Sequence, residues 1–149
     1  MIIKVDRLEE LPIDLLLLAD PAEEIVKEYI ARSNNYILVK DEKTIGVIVL
    51  LPTRPGTLEI VNIAIDPKHQ RKGYAKKLLE FAINEAKNKG FKHIEIGTAN
   101  SSINQLALYQ KMGFRINYID KDYFLKNYHD EIFENDIQAI DMIRLYMDL

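Results

Sequence analysis

Apolar and polar positions change period several times along the chain, and each change marks an element. Ile2 to Val5 predicts a short strand. Pro12 to Ala19 fits a short helix or a turn. Asp20-Pro21-Ala22-Glu23 predicts a helix start. Asp20 can accept from unpaired N–H groups, Pro21 suits the first helical position, and Glu23 can close a capping box. That helix runs to about Arg32, with Ile25, Val26, Tyr29 and Ile30 on one face. Tyr36–Lys40 and Thr44–Leu51 read as a hairpin joined through Asp41-Glu42-Lys43. Pro52 to Gly56 is a turn cluster. Leu58 to Ile65 is a long strand rich in β-branched residues, ended by Asp66-Pro67.

A loop from Lys68 to Gly73 leads into a helix over Tyr74 to Lys89. Its apolar face is Ala75, Leu78, Leu79, Ala82, Ile83 and Ala86, and Gly90 fits the cap after its end. Lys92–Gly97 predicts a strand, and Asn100–Met112 a helix closed by Gly113. Phe114–Ile119 and Met142–Met147 predict the last strands. The order implies an α/β fold, a mixed sheet with helices on both faces.

At 149 residues the chain fits one domain, residues 1–149, with enough length for a core. It is 48% hydrophobic and 29% charged, an ordinary globular composition. The absence of cysteine excludes disulfides, thiolate metal sites and a cysteine nucleophile. The longest apolar stretch, Ile13 to Ala19, is too short to span a bilayer. The first residues lack the basic start and small-residue cleavage site of a signal peptide, so a cytoplasmic location is expected. A net charge of −3 argues against nucleic acid as the main ligand.

Within this acidic chain, five Lys or Arg residues fall between Lys68 and Lys77. They surround Gln70-Arg71-Lys72-Gly73-Tyr74-Ala75, directly after a strand and at the opening of a helix. Backbone N–H groups and the helix dipole there would form an anion site, and Gly73 lets the backbone approach a phosphate. The pattern is neither a Walker loop nor a dinucleotide fingerprint. His69, His93 and His129 have no metal-ligand spacing, and no metal is expected.

Gln-x-x-Gly-x-Ala after the strand Leu58 to Pro67 resembles motif A of the GNAT superfamily of acetyl-CoA-dependent N-acetyltransferases. Leu108-Tyr109-Gln110-Lys111-Met112-Gly113-Phe114 is similar to that family's L-Y-x-K-x-G-F motif. The separation of the two motifs also agrees. The ending Asp141 to Met147 and the run Asn100-Ser101-Ser102 are similar to a bacterial subgroup, some members of which are named indole-acetate acetyltransferases.

The resemblance implies a sheet splayed between two parallel strands, with acetyl-CoA as cosubstrate. It implies that Gln70, Arg71, Lys72, Gly73, Tyr74 and Ala75 cradle the coenzyme pyrophosphate. The pantetheine arm would pair with the main chain of the bulged strand at Ile63, Ala64 and Ile65. Tyr109 would protonate the departing thiolate; a helix tyrosine packed on the sheet is the alternative. Glu59, eleven residues before Gln70, would be the general base, against a plain strand residue with a structural partner. The family often has asparagine seven residues before the tyrosine, where this chain has Ser102. Ser102 or Asn104 could make that coenzyme contact and Asn100 could cap the helix, or all three serve as caps.

Lys121 to Ile140 mixes rings and carboxylates, among them Tyr123, Tyr128 and Glu131. These would suit a cationic acceptor, or form an unspecialised surface. The first helix and Pro52 to Gly56 would also border the acceptor cleft. The expected reaction is direct acetyl transfer to a primary amine of a small molecule or peptide. The rival is a non-catalytic coenzyme A or small-ligand sensor on the same fold. No membrane or nucleic-acid partner is expected, and monomer and homodimer both remain open.

Overall fold

A computed structural model describes Met1–Leu149 and gathers the alternating segments into one seven-stranded sheet. The first half supplies β1 (Ile2–Val5), α1 (Ile13–Ala19), α2 (Glu23–Ile30), β2 (Asn34–Lys40), β3 (Lys43–Arg54) and β4 (Thr57–Ile65). Next come α3 (Tyr74–Asn88), β5 (His93–Ala99), α4 (Ile103–Lys111), β6 (Arg115–Asp120) and α5 (Tyr123–Asn127). A small hairpin, β7 (Phe133–Glu134) with β8 (Ile137–Gln138), precedes β9 (Met142–Asp148). The strand order is β1-β2-β3-β4-β5-β9-β6. Every neighbouring pair is antiparallel except β4 with β5. No helix is long and apolar enough to cross a membrane.

Alternation sorts side chains between two cores. Ile48 and Leu50 of β3 pack with Leu78, Leu79 and Ala82 of α3 on one face. Val47, Val49 and Leu51 pack with Leu16 of α1 and with Val26 and Ile30 of α2 on the other. The helices therefore lie on both faces, as the sequence pattern predicts.

The feature that positions the site is an irregularity in β4. Leu50 pairs with Ile60 and Val49 with Asn62, so Val61 is an extra residue opposite no partner. This is a β-bulge, which bends a strand and breaks its ladder. The parallel ladder of β4 on β5 runs only from Thr57↔His93 to Ile60↔Ile96. Past Ile60 the two strands part, and Gly97, Thr98 and Ala99 pair only with β9.

Several boundaries depart from the sequence pattern. The second helix begins at Glu23 with Ala22 at its N-cap, and no side chain caps it. Pro21 stands outside it because the Asp20 carboxylate bonds the Ala22 N–H, at 3.2 Å, at the corner before the helix. The helix ends at Ile30, short of Arg32. Pro52 lies inside β3 and not in the turn. Beyond Leu50 that strand has no β2 partner, so the missing N–H falls on an edge. The helix expected from Asn100 starts at Ile103, because Asn100 is engaged elsewhere. Within Lys121 to Ile140 lie a short helix and a hairpin that periodicity missed. The hairpin turns at Asn135 and Asp136, with φ of 55° and 61°. Asn-Asp in such a turn is a readable signal.

Candidate active site

The parting of β4 and β5 opens a cavity of about 640 Å³ that passes through the sheet. On the α3/α4 side its wall includes Gln70, Ala75, Asn104, Leu108 and Tyr109. On the α1/α2 side it includes Asp20, Tyr29, Glu59, Tyr123, Tyr128 and Arg144. Between them run Val61 to Ile65 of β4 and Gly97 to Ala99 of β5.

At one mouth stands the loop before α3. Gln70 Nε2 donates to the Ile65 carbonyl at 3.0 Å and ties the loop to the strand end. Arg71 and Gly73 have φ of 61° and 86°. The N–H groups of Arg71, Lys72, Gly73, Tyr74, Ala75 and Lys76 donate to nothing within the chain. They form a concave set of donors at the positive end of a helix, a ready anion site. A Cβ built on Gly73 meets nothing within 4 Å, so the space in front of it is open.

Tyr109 lies on α4, 5% exposed, beside Phe114 at a ring separation of 6.3 Å. Burial, with the Glu134 charge second, pushes its hydroxyl well above the usual tyrosine range. Ser102 Oγ donates to Glu134 Oε1 at 2.8 Å. Asn100 Oδ1 accepts from the N–H groups of Ile140 and Asp141, at 2.8 and 3.0 Å. Its Nδ2 donates to the Gln138 carbonyl at 3.0 Å. Asn100 thus pins the returning loop and does not line the cavity.

Across the sheet, Glu59 Oε2 accepts from Arg144 Nη1 at 3.3 Å. Burial raises the Glu59 carboxyl above its ordinary value, and the Arg144 charge partly reverses this. Arg144 also stacks 5.4 Å from the Tyr123 ring and lies 3.9 Å from Asp120. The Asp20 carboxylate accepts from Tyr128 Oη at 2.8 Å and from Tyr29 Oη at 3.2 Å. Asn62, next to the bulge, donates to Tyr29 Oη at 2.9 Å and to the Leu16 carbonyl at 3.0 Å. No group of His, Asp and Glu side chains is gathered to hold a metal.

The chain matches the model of the Acetyltransferase (GNAT) family over residues 6–114. This chain belongs to the GNAT family. It is 57% identical over 136 residues to YvbK of Bacillus subtilis (strain 168), named an uncharacterized N-acetyltransferase, covering 91% of this chain and 88% of that one. An IAA acetyltransferase from Bacillus cereus ATCC 14579 superimposes with a TM-score of 0.97 at 51% identity, over 100% of this chain and 99% of that one. A GNAT family acetyltransferase from Elizabethkingia anophelis, solved with acetyl-CoA bound, gives a TM-score of 0.97 at 44% identity, over 100% and 97%. The chain is an acetyl-CoA-dependent acyltransferase.

In this GNAT chain, Glu59, Ile63, Ala64, Ile65, Gln70, Ala75, Ser102, Asn104, Tyr109, Tyr123 and Tyr128 all line the one cavity. Arg71 to Tyr74 form the loop between Gln70 and Ala75. Glu131 is exposed and off the cavity, and Pro52 to Gly56 also lie off it. The GNAT motifs did not point to Arg144 or Asn62. Asp20 was legible only as a cap. Their placement depends on contacts between residues far apart in sequence, for which no local pattern exists.

Proposed function

We propose that residues 1–149 act as one N-acetyltransferase domain that moves an acetyl group directly from acetyl-CoA to a primary amine of a small molecule or peptide. The observation that carries this reading is the single cavity through the sheet, with an anion loop at one mouth and carboxylates at the other. The chain's features fit the coenzyme. The free N–H groups from Arg71 to Lys76 suit a pyrophosphate. The β5-facing main chain of β4 past Ile60 has no strand partner, which suits an amide-bearing arm.

The amine approaches from the α1/α2 side and meets the thioester where the strands part. Glu59, directly or through a water, takes a proton from the arriving ammonium. The nitrogen lone pair then attacks the thioester carbonyl carbon, and a main-chain N–H of β4 stabilises the developing oxyanion. The carbon–sulfur bond breaks, and the leaving thiolate takes the Tyr109 proton. A tyrosine held above its usual range keeps that proton throughout the neutral region. The extra proton of the newly acylated nitrogen passes through water to restore Tyr109, while Glu59 releases its proton to solvent. With no cysteine in the chain, no cysteinyl intermediate forms.

Calorimetric titration with acetyl-CoA, with ATP as control, is the first test, followed by mass-spectrometric detection of acetylated products from a panel of amines and alcohols. Binding of acetyl-CoA but not ATP, with acetylation confined to amines, is the expected result. Acetylation of alcohols alone, or no binding at millimolar acetyl-CoA, overturns the proposal.

A further inference from the structure

We propose that the corner around Asp20 is a second cation subsite, so that the acceptor is an amine with a further ammonium group at the far end of a flexible chain. This rests on the amine-acetylation reading and adds to it the class of amine.

The charges in the acceptor half of the cavity do not balance. Its lining carries Asp20 and Glu59 as acids and only Arg144 as a base. Arg144 is committed to Glu59 at 3.3 Å, with Asp120 at 3.9 Å. No lysine, arginine or histidine forms an ion pair with Asp20. Asp20 is held by hydrogen bonds alone, and no cationic side chain stands opposite its charge.

The bond to the Ala22 N–H alone does not account for what surrounds Asp20. The corner before α2 uses one oxygen, Oδ1, for the Ala22 N–H at 3.2 Å. Two tyrosine hydroxyls from separate elements also converge on the carboxylate: Tyr29 from α2 at 3.2 Å and Tyr128, which follows α5, at 2.8 Å. Both donate, and Tyr128 Oη keeps its own lone pairs. A carboxylate offers about four acceptor positions, so with three occupied one remains. An ammonium has about three donors, which can meet that position, Tyr128 Oη and a water.

The rings complete the subsite. Phe124 lies 5.3 Å from Tyr128, and Tyr123 lies 5.2 Å from Phe124 and 6.3 Å from Tyr128. Such faces attract a cation and also pack against methylene groups. A continuous wall leads from one carboxylate to the other: Glu59 to Arg144 at 3.3 Å, Arg144 to the Tyr123 ring at 5.4 Å, Tyr123 to Tyr128 at 6.3 Å, and Tyr128 to Asp20 at 2.8 Å. One ammonium docks at Asp20, the spacer lies on the rings, and the reacting nitrogen reaches Glu59.

The test compares α,ω-diaminoalkanes with amino alcohols of the same length, using initial rates at saturating acetyl-CoA. The wild-type protein is expected to favour the diamine by about tenfold or more in kcat/KM. Asp20→Asn keeps the shape and removes the charge. It is expected to collapse that preference toward unity, chiefly by raising KM for the diamine. Tyr128→Phe keeps the ring and shifts the preference the same way by less. The ratio is read within one preparation, so a partly unfolded variant does not mimic the effect. Calorimetric titration of a diamine into CoA-saturated protein reports the subsite without turnover, and Asp20→Asn is expected to weaken that binding.

Equal use of diamine and amino alcohol by the wild type overturns the subsite and leaves amine acetylation standing. So does an Asp20→Asn variant that scales both substrates by one factor. Acetylation of alcohols or thiols with neither amine acetylated overturns both readings together.

Discussion

In the proposed mechanism half-buried Glu59 and buried Tyr109 use a proton in opposite ways. Burial holds the Tyr109 hydroxyl protonated, as an acid must be. Tyr109→Phe keeps the ring and its packing on Phe114, so coenzyme affinity stays while turnover falls about a hundredfold; single-turnover rates beside calorimetry separate the two. Burial raises the Glu59 carboxyl, and Arg144 opposes this. A base works only when ionised, so the rate rises with pH through a value above the ordinary carboxylate range. Glu59→Gln flattens that rise in a pH–rate profile. Linkage runs the other way for stability. Folded Glu59 holds its proton to a higher pH than unfolded Glu59, so stability falls as pH rises between the two values. Of these two residues the sequence showed the identity and the motif. Arg144 was invisible as a partner, because Glu59 and Arg144 stand 85 residues apart and meet only in the sheet.

Loops that hold the cavity's mouths carry their own costs. Gly73 has φ of 86° with open space before its Cβ position, so Gly73→Ala strains only the backbone. It should cost about 1 kcal/mol of stability in denaturant titration. Its methyl would project into the space offered to a phosphate, so acetyl-CoA affinity should fall by more, about tenfold. The Asn100 side chain holds the returning loop. Asn100→Ala leaves the N–H groups of Ile140 and Asp141 without their acceptor. The expected loss is about 1–3 kcal/mol, with faster proteolysis in Lys121 to Ile140 and a raised acceptor KM. Periodicity read the long elements well, because β3 and α3 each present a regular face to a core. It failed on α5 and the β7–β8 hairpin, which are too short to show a period. Asn100 read as a cap for the same reason. The N–H groups that donate to it lie 40 and 41 residues on, in a loop whose path no local signal sets.

At the scale of the whole molecule, acetyl-CoA should act as a stabiliser. A ligand present at about 100 times its Kd adds about 2.7 kcal/mol. For a chain of this size that raises Tm by roughly 5–10 °C, and ATP should not reproduce the shift in a thermal melt. The family-level architecture was open to reading because two motifs fall at a fixed separation on either side of α3. The acceptor half was not, since its wall is assembled from α1, α2, α5 and β9 together.

The ladder from Thr57 to Ile60 joins two half-sheets, β1-β2-β3-β4 and β5-β9-β6. Four rungs of about 3.3 Å each make a seam only about 13 Å long. The molecule is built like a clothes-peg, with that seam as its spring and the bulge at Val61 as the point where the jaws begin. Aperture is then a matter of counting: one rung more would narrow the jaws, and one fewer would let them yawn. The width of the opening rests on where a single surplus residue falls in one strand.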